Sequence, residues 1–344
     1  MTDVEIQMFR AIRSPCPVMF PRRSCVAMTH EFHRTGSPST LIQSRMNILI
    51  LMLTRLSVVG EAVVPRGETS RTREKVMRFL DRGGVRLAWD EQGSGTPILL
   101  IMGHRYSSGM WYPLKAAFAD RYHLISFDNR GTGQSDAPRR TSVEEMTADA
   151  LAVLDAAGIE SAHIYGVSMG GGIALEFGLR YPNRVRSLIL GCTMAKTPDI
   201  KPRPDWLIRL IYNALPVLKL LARPKNKNGY GDAAPDDAIA RDMQLLAKDP
   251  YDLNGVIAQA IAISRYSVDP AEVRALNLPT LVLHGTQDSA VPYEAGKAMA
   301  EMIPGARLVT FQDIGHNYFV GAGERANAEV DRFIGEVEAA RAGA

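Results

Sequence analysis

From residue 76 onward, short apolar runs alternate with longer amphipathic segments, and this alternation constrains the fold more than any other sequence feature. Residues 76–91 hold two apolar stretches joined at Gly83-Gly84, which predicts a β-hairpin. Apolar strands separated by helices are typical of a parallel sheet covered on both faces. We therefore predict an α/β fold. The predicted strands are 97–102, 123–127, 162–166, 185–191, 280–285 and 307–311, and the predicted helices are 110–119, 141–158, 169–180, about 294–302 and the segment from Glu324.

One long segment, residues 194–275, interrupts the alternation. It has helical patterning and no strong strand, and the strands resume only at residue 280. A helical block between two strands of one sheet is expected to cover that sheet as a lid rather than to fold alone. We therefore predict a core formed by 75–193 and 276–344, with 194–275 as a helical lid.

The first 74 residues differ in composition from the rest of the chain. They contain ten Arg, no Lys and six acidic residues, which gives a charge of +4 and leaves −1 for the remainder. Prolines interrupt any helix there, among them Pro15, Pro17, Pro21 and Pro38, because each removes a backbone donor. Asp3 and Glu5 fit poorly with a transit peptide. We favour a disordered extension, or a start codon assigned too far upstream with the real domain beginning at Met77.

The charge and the cysteines limit the class of protein. A formal net charge of +3 does not indicate a nucleic-acid partner. The longest apolar run, 47–53, is far shorter than the ~20 residues of a membrane span. Cys16 and Cys25 lie in the extension, so Cys192 alone remains in the body and no disulfide framework or cysteine metal site is expected there. We expect a cytoplasmic protein without membrane contact, either a monomer or a weak homodimer.

The strongest chemical signal is the motif G-x-S-x-G at Gly166-Val167-Ser168-Met169-Gly170. It lies between a predicted strand and a predicted helix, which is the context of a nucleophile elbow. The positive end of the helix dipole would favour the negative charge that develops near the serine. The alternative interpretation is a glycine-rich helix start with an incidental serine.

A serine hydroxyl needs a general base held by a third group. Among seven histidines, His316 follows the last predicted strand, where a loop can return over the sheet. Asp288 lies in the loop after the preceding strand, whereas Asp313 reads as a solvated charge. The order Ser168, Asp288, His316 matches the serine, acid, histidine order of α/β-hydrolases.

The chain resembles the α/β-hydrolase superfamily over 77–193 and 276–344, close to its lidded esterases, methylesterases, enol-lactonases and cofactor-free perhydrolases. The matching pieces are "IMGHR", "FDNRGTGQSD", "GVSMGGG", "HGTQD" and "IGH". The resemblance implies Ser168 as nucleophile, His316 as general base and then acid, and Asp288 as the carboxylate that orients His316. It implies a scaffold role for Asp128 and Arg130, and no cofactor or metal.

The resemblance also places the oxyanion hole. Family members usually carry His-Gly where this chain has Met102-Gly103, and the residue after that glycine donates one backbone N–H. His104 and Met169 would then be the two donors. The His104 side chain is not expected to be the base, and together with Arg105 it is expected to shape the mouth of the pocket.

The residues of the lid that contact the substrate are the part of the site that the sequence predicts least well. Trp206 and Tyr212 follow a helical apolar stripe that would line a pocket, although such stripes more often face a core. We predict a serine hydrolase of a small ester or lactone. A C–C bond hydrolase or a perhydrolase with the same triad remains open, as does a non-catalytic ligand-binding protein of the same fold.

Overall fold

The computed structural model describes residues 77–221 and 229–343, with backbone only for 215–221, and it contains one eight-stranded sheet. The predicted extension, residues 1–74, lies outside these ranges. The strand order is β1-β2-β4-β3-β5-β6-β7-β8; β2 pairs antiparallel with β1 and β4, and the remaining pairs are parallel. The strands are β1 (Arg78–Arg82), β2 (Val85–Gln92), β3 (Thr96–Ile101), β4 (Tyr122–Phe127), β5 (Ala162–Val167), β6 (Val185–Gly191), β7 (Thr280–Gly285) and β8 (Arg307–Phe311).

Ten α-helices lie within the described residues, and they cover both faces of the sheet as the alternation predicts. Alternate residues of β3 show the two faces: Leu99 packs in one apolar cluster with Met146, while Leu100 packs in the other with Trp111. The helices are α1 (Tyr112–Phe118), α2 (Val143–Ala156), α3 (Met169–Arg180), α4 (Asp205–Leu221), α5 (Asp236–Leu246), α6 (Leu253–Arg265), α7 (Pro270–Arg274), α8 (Tyr293–Met302), α9 (Tyr318–Gly321) and α10 (Gly323–Ala342). The prediction of a mostly parallel α/β fold is confirmed.

The strand limits match the predicted limits to within about one residue, because each strand ends at a turn signal. The predicted helix 110–119 differs: it opens with a 3₁₀ turn, Ser108–Trp111, before α1 begins. Pro113 in the first turn of α1 explains this, since proline there removes no helical hydrogen bond but fixes the entry of the chain. Ser142 caps α2 through a reciprocal capping box with Glu145.

Four helices, α4 to α7, are inserted between β6 and β7. The beginning of α6 packs very closely on the turn after β4: a Cβ added to Gly255 would lie 2.4 Å from the Cα of Gly131. In addition, the Gly133 N–H donates to the Pro250 carbonyl at 2.8 Å. The inserted segment is therefore fixed to the sheet near α6. No helix among the described residues is long and apolar enough to cross a membrane.

Side chains of the turn after β4 also fix it in place through their own hydrogen bonds. Asp128 accepts hydrogen bonds from the backbone N–H of Ser108 at 2.7 Å and of Gln134 at 2.8 Å. Arg130 forms a buried bidentate contact with Asp149 on α2. Both side chains thus organise the loops behind the end of β3, which agrees with the scaffold role expected for Asp128 and Arg130.

Candidate active site

The predicted nucleophile, Ser168, lies in a sharp turn between the last residue of β5 and the first residue of α3. Its φ of 55° is in the left-handed region, which a non-glycine residue rarely adopts. A Cβ on Gly166 would lie 2.0 Å from the Gly170 carbonyl oxygen, and a Cβ on Gly170 would lie 2.1 Å from the Ile101 carbonyl oxygen. Both glycines of the motif are therefore needed for this turn to form.

Asp288 and His316 meet in the loops that follow β7 and β8. His316 Nδ1 lies 2.7 Å from Asp288 Oδ2. The other carboxylate oxygen accepts the backbone N–H groups of Ala290 and Val291 at 2.8 and 2.9 Å. The carboxylate is therefore fixed in position on both of its oxygens, which in turn fixes the orientation of the imidazole.

The electrostatics of this pair follow from its contacts. Burial raises the pKa of Asp288, but hydrogen bonds from His284 and His316 outweigh it, so this pKa lies well below its usual range. Burial lowers the pKa of His316, but the neighbouring Cys192 and Asp288 outweigh it, so this pKa lies above the ordinary 6.5. An imidazole of raised basicity beside an ionised carboxylate can accept a proton from a hydroxyl.

A second histidine touches the same carboxylate. The fully buried His284 has its Nε2 3.2 Å from Asp288 Oδ2 and 3.0 Å from the Val291 carbonyl oxygen. Because both neighbours are acceptors, Nε2 carries the hydrogen. From sequence His284 is only the end of a strand, and the one available signal was its position four residues before Asp288.

Ser168 and His316 line a common cavity of about 220 Å³. Cys192 also lines it, directly after β6, in the left-handed conformation with a φ of 40°. The sequence analysis did not assign this cysteine to the site. The parallel register of β5 and β6 could have indicated it, because the residues that follow two paired parallel strands lie side by side. Phe319 and Asn317 complete the part of the wall near His316.

The two predicted oxyanion donors, His104 and Met169, both lie on segments next to Ser168. A Cβ on Gly103 would come within 3.2 Å of the Ser168 Cβ, so the loop that carries His104 touches the nucleophile. Met169 is the first residue of α3, where an N–H has no partner within the helix. Within the described ranges, the His104 N–H has no protein acceptor either.

The His104 side chain is held by the inserted helices α4 and α6. Its Nε2 lies 2.9 Å from the Val256 carbonyl oxygen on α6, and its ring meets the Tyr212 ring edge-on at a centroid distance of 5.5 Å. Burial lowers its pKa, and the Arg105 charge adds to this, against the contact with the Val256 carbonyl. A neutral ring held by α6 agrees with the expectation that His104 is not the general base.

The other predicted substrate-contact residues, Tyr212, Arg105 and Trp206, differ in how close they lie to the cavity. Tyr212 reaches the site through His104, as described. Arg105 stacks its guanidinium over the exposed Tyr251 ring at 4.6 Å. Trp206 is 66% exposed and does not line the cavity, because it lies on the outer side of α4. For Trp206 the periodic stripe therefore did not identify a cavity residue.

Other parts of the described chain offer no comparable site. A larger cleft of about 610 Å³ includes Arg180 and Glu272, but it lies at the far end of α3, which at ~1.5 Å per residue is remote from Ser168. Asp313, set aside as the triad acid, is exposed and contacts Thr286. Among residues 77–221 and 229–343, no group of three or more His, Cys, Asp or Glu is arranged to hold a metal ion.

Comparison with known proteins shows which family the chain belongs to. RutD of Azorhizobium caulinodans, provisionally named a carbamate hydrolase, is 30% identical over 276 residues, which are 76% of this chain and all of that protein. The 3-oxoadipate enol-lactonase 1 of Acinetobacter baylyi is 31% identical over 57% of this chain and 72% of its own length. A thermophilic esterase from Thermogutta terrifontis superposes with a TM-score of 0.64 at 25% identity, covering 77% of this chain and 99% of the esterase. The alpha/beta hydrolase fold family matches residues 96–322, and the chain belongs to this family.

Proposed function

We propose that this α/β hydrolase cleaves small carboxylic esters or lactones through an acyl-enzyme on Ser168. The observation that carries the proposal is the arrangement around one cavity: a strained serine at the elbow, opposite a histidine held 2.7 Å from a buried carboxylate. Strained residues are concentrated at functional sites, and Ser168 lines the cavity. The esterase and lactonase relatives support the same class of substrate.

The mechanism follows from the positions of the groups. Ser168 Oγ attacks the carbonyl carbon while His316 takes the hydroxyl proton through Nε2, and Asp288 stabilises the imidazolium through Nδ1. The N–H groups of His104 and Met169 stabilise the oxyanion. His316 then protonates the leaving alkoxide, and the ester bond breaks. Water adds to the acyl-enzyme by the reverse path and releases the acid.

The cavity limits the size and the charge of the acyl group. Its volume of about 220 Å³ is below the ~300–1,000 Å³ of pockets for drug-sized ligands. Val167 and Phe319 give it apolar walls, and its described lining residues include no Asp, Glu, Lys or Arg. Short uncharged acyl groups therefore fit best. In this proposal the described inserted helices α4 to α7 act as a lid over the leaving group.

The first experiment compares Ser168→Ala with the matched control Ser94→Ala, which changes an exposed loop serine in the same way. Wild type and control are expected to hydrolyse p-nitrophenyl acetate and to react with a fluorophosphonate probe. Ser168→Ala is expected to lose at least about 10³-fold in kcat and all labelling. Residual turnover within about tenfold of wild type would show that Ser168 is not the nucleophile.

A substrate panel separates the remaining alternatives. It contains p-nitrophenyl esters of increasing acyl length, a series of lactones, a carbamate ester, a vinylogous diketone for C–C cleavage, and acetate with hydrogen peroxide for perhydrolysis. The proposal expects short esters or lactones to have the highest kcat/KM. A preference for the diketone or for peroxide would move the reaction to another class while keeping the triad. A folded protein that reacts with none, and not with the fluorophosphonate, would be a ligand-binding protein.

A further inference from the structure

The loop that carries the predicted oxyanion donor is held by the inserted helices as well as by the sheet. The fully buried Gln259 on α6 accepts the Arg105 backbone N–H at its Oε1, 3.1 Å away. Its Nε2 donates to the Arg130 carbonyl oxygen at 2.6 Å. One amide side chain thus joins α6 to the residue after His104 and to the turn after β4.

The backbone at this point is strained. Arg105 has a φ of 75°, a left-handed conformation that costs free energy for any residue with a Cβ. Such a conformation persists only when the surrounding structure fixes it. The bond to Gln259 is the contact that the Arg105 N–H makes, and the peptide plane that contains this N–H also contains the His104 carbonyl. The peptide plane on the C-terminal side of His104 is therefore fixed from α6.

A second contact acts on the same residue. The neutral His104 ring carries its hydrogen on Nε2, because its partner there, the Val256 carbonyl, can only accept. Val256 and Gln259 are three residues apart and lie on one face of α6. The side chain of His104 and the N–H of the next residue are thus both held by one helix face, while the His104 N–H is left for the cavity.

We propose that Gln259 is a positioning residue for the oxyanion hole, which directs the His104 N–H toward the tetrahedral intermediate by holding the Arg105 backbone. This rests on the proposed function, since an oxyanion must form on Ser168. Gln259 does not line the cavity and does not touch the substrate there. Its removal therefore affects the transition state through His104 and leaves ground-state binding nearly unchanged.

The test replaces the amide by an apolar side chain of similar length. In Gln259→Met, kcat for p-nitrophenyl acetate is expected to fall about 10–100-fold with KM within about twofold, because complete loss of one oxyanion donor costs about 10²–10³-fold. The matched control is Gln244→Met, which makes the same change at an exposed position of α5. The control is expected to keep wild-type kcat, KM and Tm.

Inhibition by ethyl trifluoromethyl ketone separates positioning from a general loss of structure. The ketone adds to Ser168 Oγ, the serine proton moves to His316, and the resulting oxyanion requires the two N–H donors. Its Ki is expected to rise by about the same factor as kcat falls, while the midpoint of the pH profile stays at the wild-type value. A merely structural defect would instead change KM, Ki and the pH midpoint together.

A second variant covers the case in which Gln259→Met does not fold. His104→Phe keeps a ring against Tyr212 but removes the donor to the Val256 carbonyl, and it is expected to raise Ki about threefold to tenfold. Wild-type kcat and Ki in a folded Gln259→Met would overturn the inference, and so would wild-type values in His104→Phe if that variant alone folds. Wild-type protein without ester turnover or fluorophosphonate labelling would instead overturn the proposed function, so the two failures are distinct.

Discussion

Replacing Gly296 by Ala tests the contact between His284 and the carboxylate of Asp288, the proposed triad acid. Gly296 lies on α8, and a Cβ there would be 2.1 Å from His284 Nδ1. Atoms in contact are about 3.5–4.0 Å apart, so the imidazole would have to move by more than ~1 Å. The ring is fully buried and cannot turn into solvent. Its movement is expected to weaken the contact from Nε2 to Asp288.

The magnitude follows from packing and geometry. Overpacking a core costs about 1–3 kcal/mol of the free energy of unfolding, whereas Gly to Ala inside a helix gains about 1 kcal/mol. The net effect of Gly296→Ala is a loss of about 0–2 kcal/mol. A displacement of ~1 Å near the reacting groups costs up to about 10²-fold in rate. Since Asp288 orients His316, we expect kcat to fall about 10–100-fold.

The control is Gly335→Ala on α10, where an added Cβ meets nothing within 4 Å. It is expected to raise the free energy of unfolding by about 1 kcal/mol and to leave kcat unchanged. Thermal unfolding and p-nitrophenyl acetate turnover are measured for both variants, with ~2–4 °C in Tm expected for each kcal/mol. If Gly296→Ala matched Gly335→Ala in both Tm and kcat, the contact between His284 and Asp288 would not support catalysis.

Three further outcomes are expected. The value of kcat/KM should rise with pH through a midpoint above 6.5, because His316 acts only when neutral and its pKa is raised; a pH profile measures this, and Asp288→Asn should lower the midpoint. Lys115→Met removes the ammonium 2.8 Å from the buried Asp90 carboxylate, and chemical denaturation should show a loss of about 3–5 kcal/mol; a loss below about 1 kcal/mol would contradict this. Gly170→Ala should prevent the elbow from forming, seen as lost fluorophosphonate labelling in whatever protein remains folded, and full labelling would refute the steric argument.

Much of the fold could be predicted because its signals are local. The six strands from β3 to β8 are mostly short apolar runs bounded by turn residues, so their limits can be read from adjacent positions of the sequence. The positions of the three predicted triad residues could also be anticipated, since Ser168 lies between the glycines of its motif, and Asp288 and His316 each follow a predicted strand at the same edge of a parallel sheet.

The parts that were missed depend on contacts between distant segments. In the sequence Gln259 is one polar residue in an apolar helix. It is 154 positions away from Arg105, and only the packing of α6 brings the two residues into contact. His284 could not be identified from the sequence for the same reason, since its contact with α8 depends on tertiary packing. Trp206 shows the converse problem: periodicity indicates that a helix has an apolar side but not which element that side meets.

Because of the close approach of Gly255 and Gly131, α6 and α4 should differ in how many substitutions they tolerate. At Gly255 or Gly131 any residue with a Cβ would push α6 away from the turn after β4. The loop that carries His104 and Arg105, which α6 holds, would then lose its contacts. The outer side of α4 has no such close contact among the described residues, and it presents Trp206 and Leu210 to solvent. The exposed positions of α4 can therefore vary while the chemistry stays intact, so a library confined to Trp206, Leu210 and Ile211 should contain few inactive members.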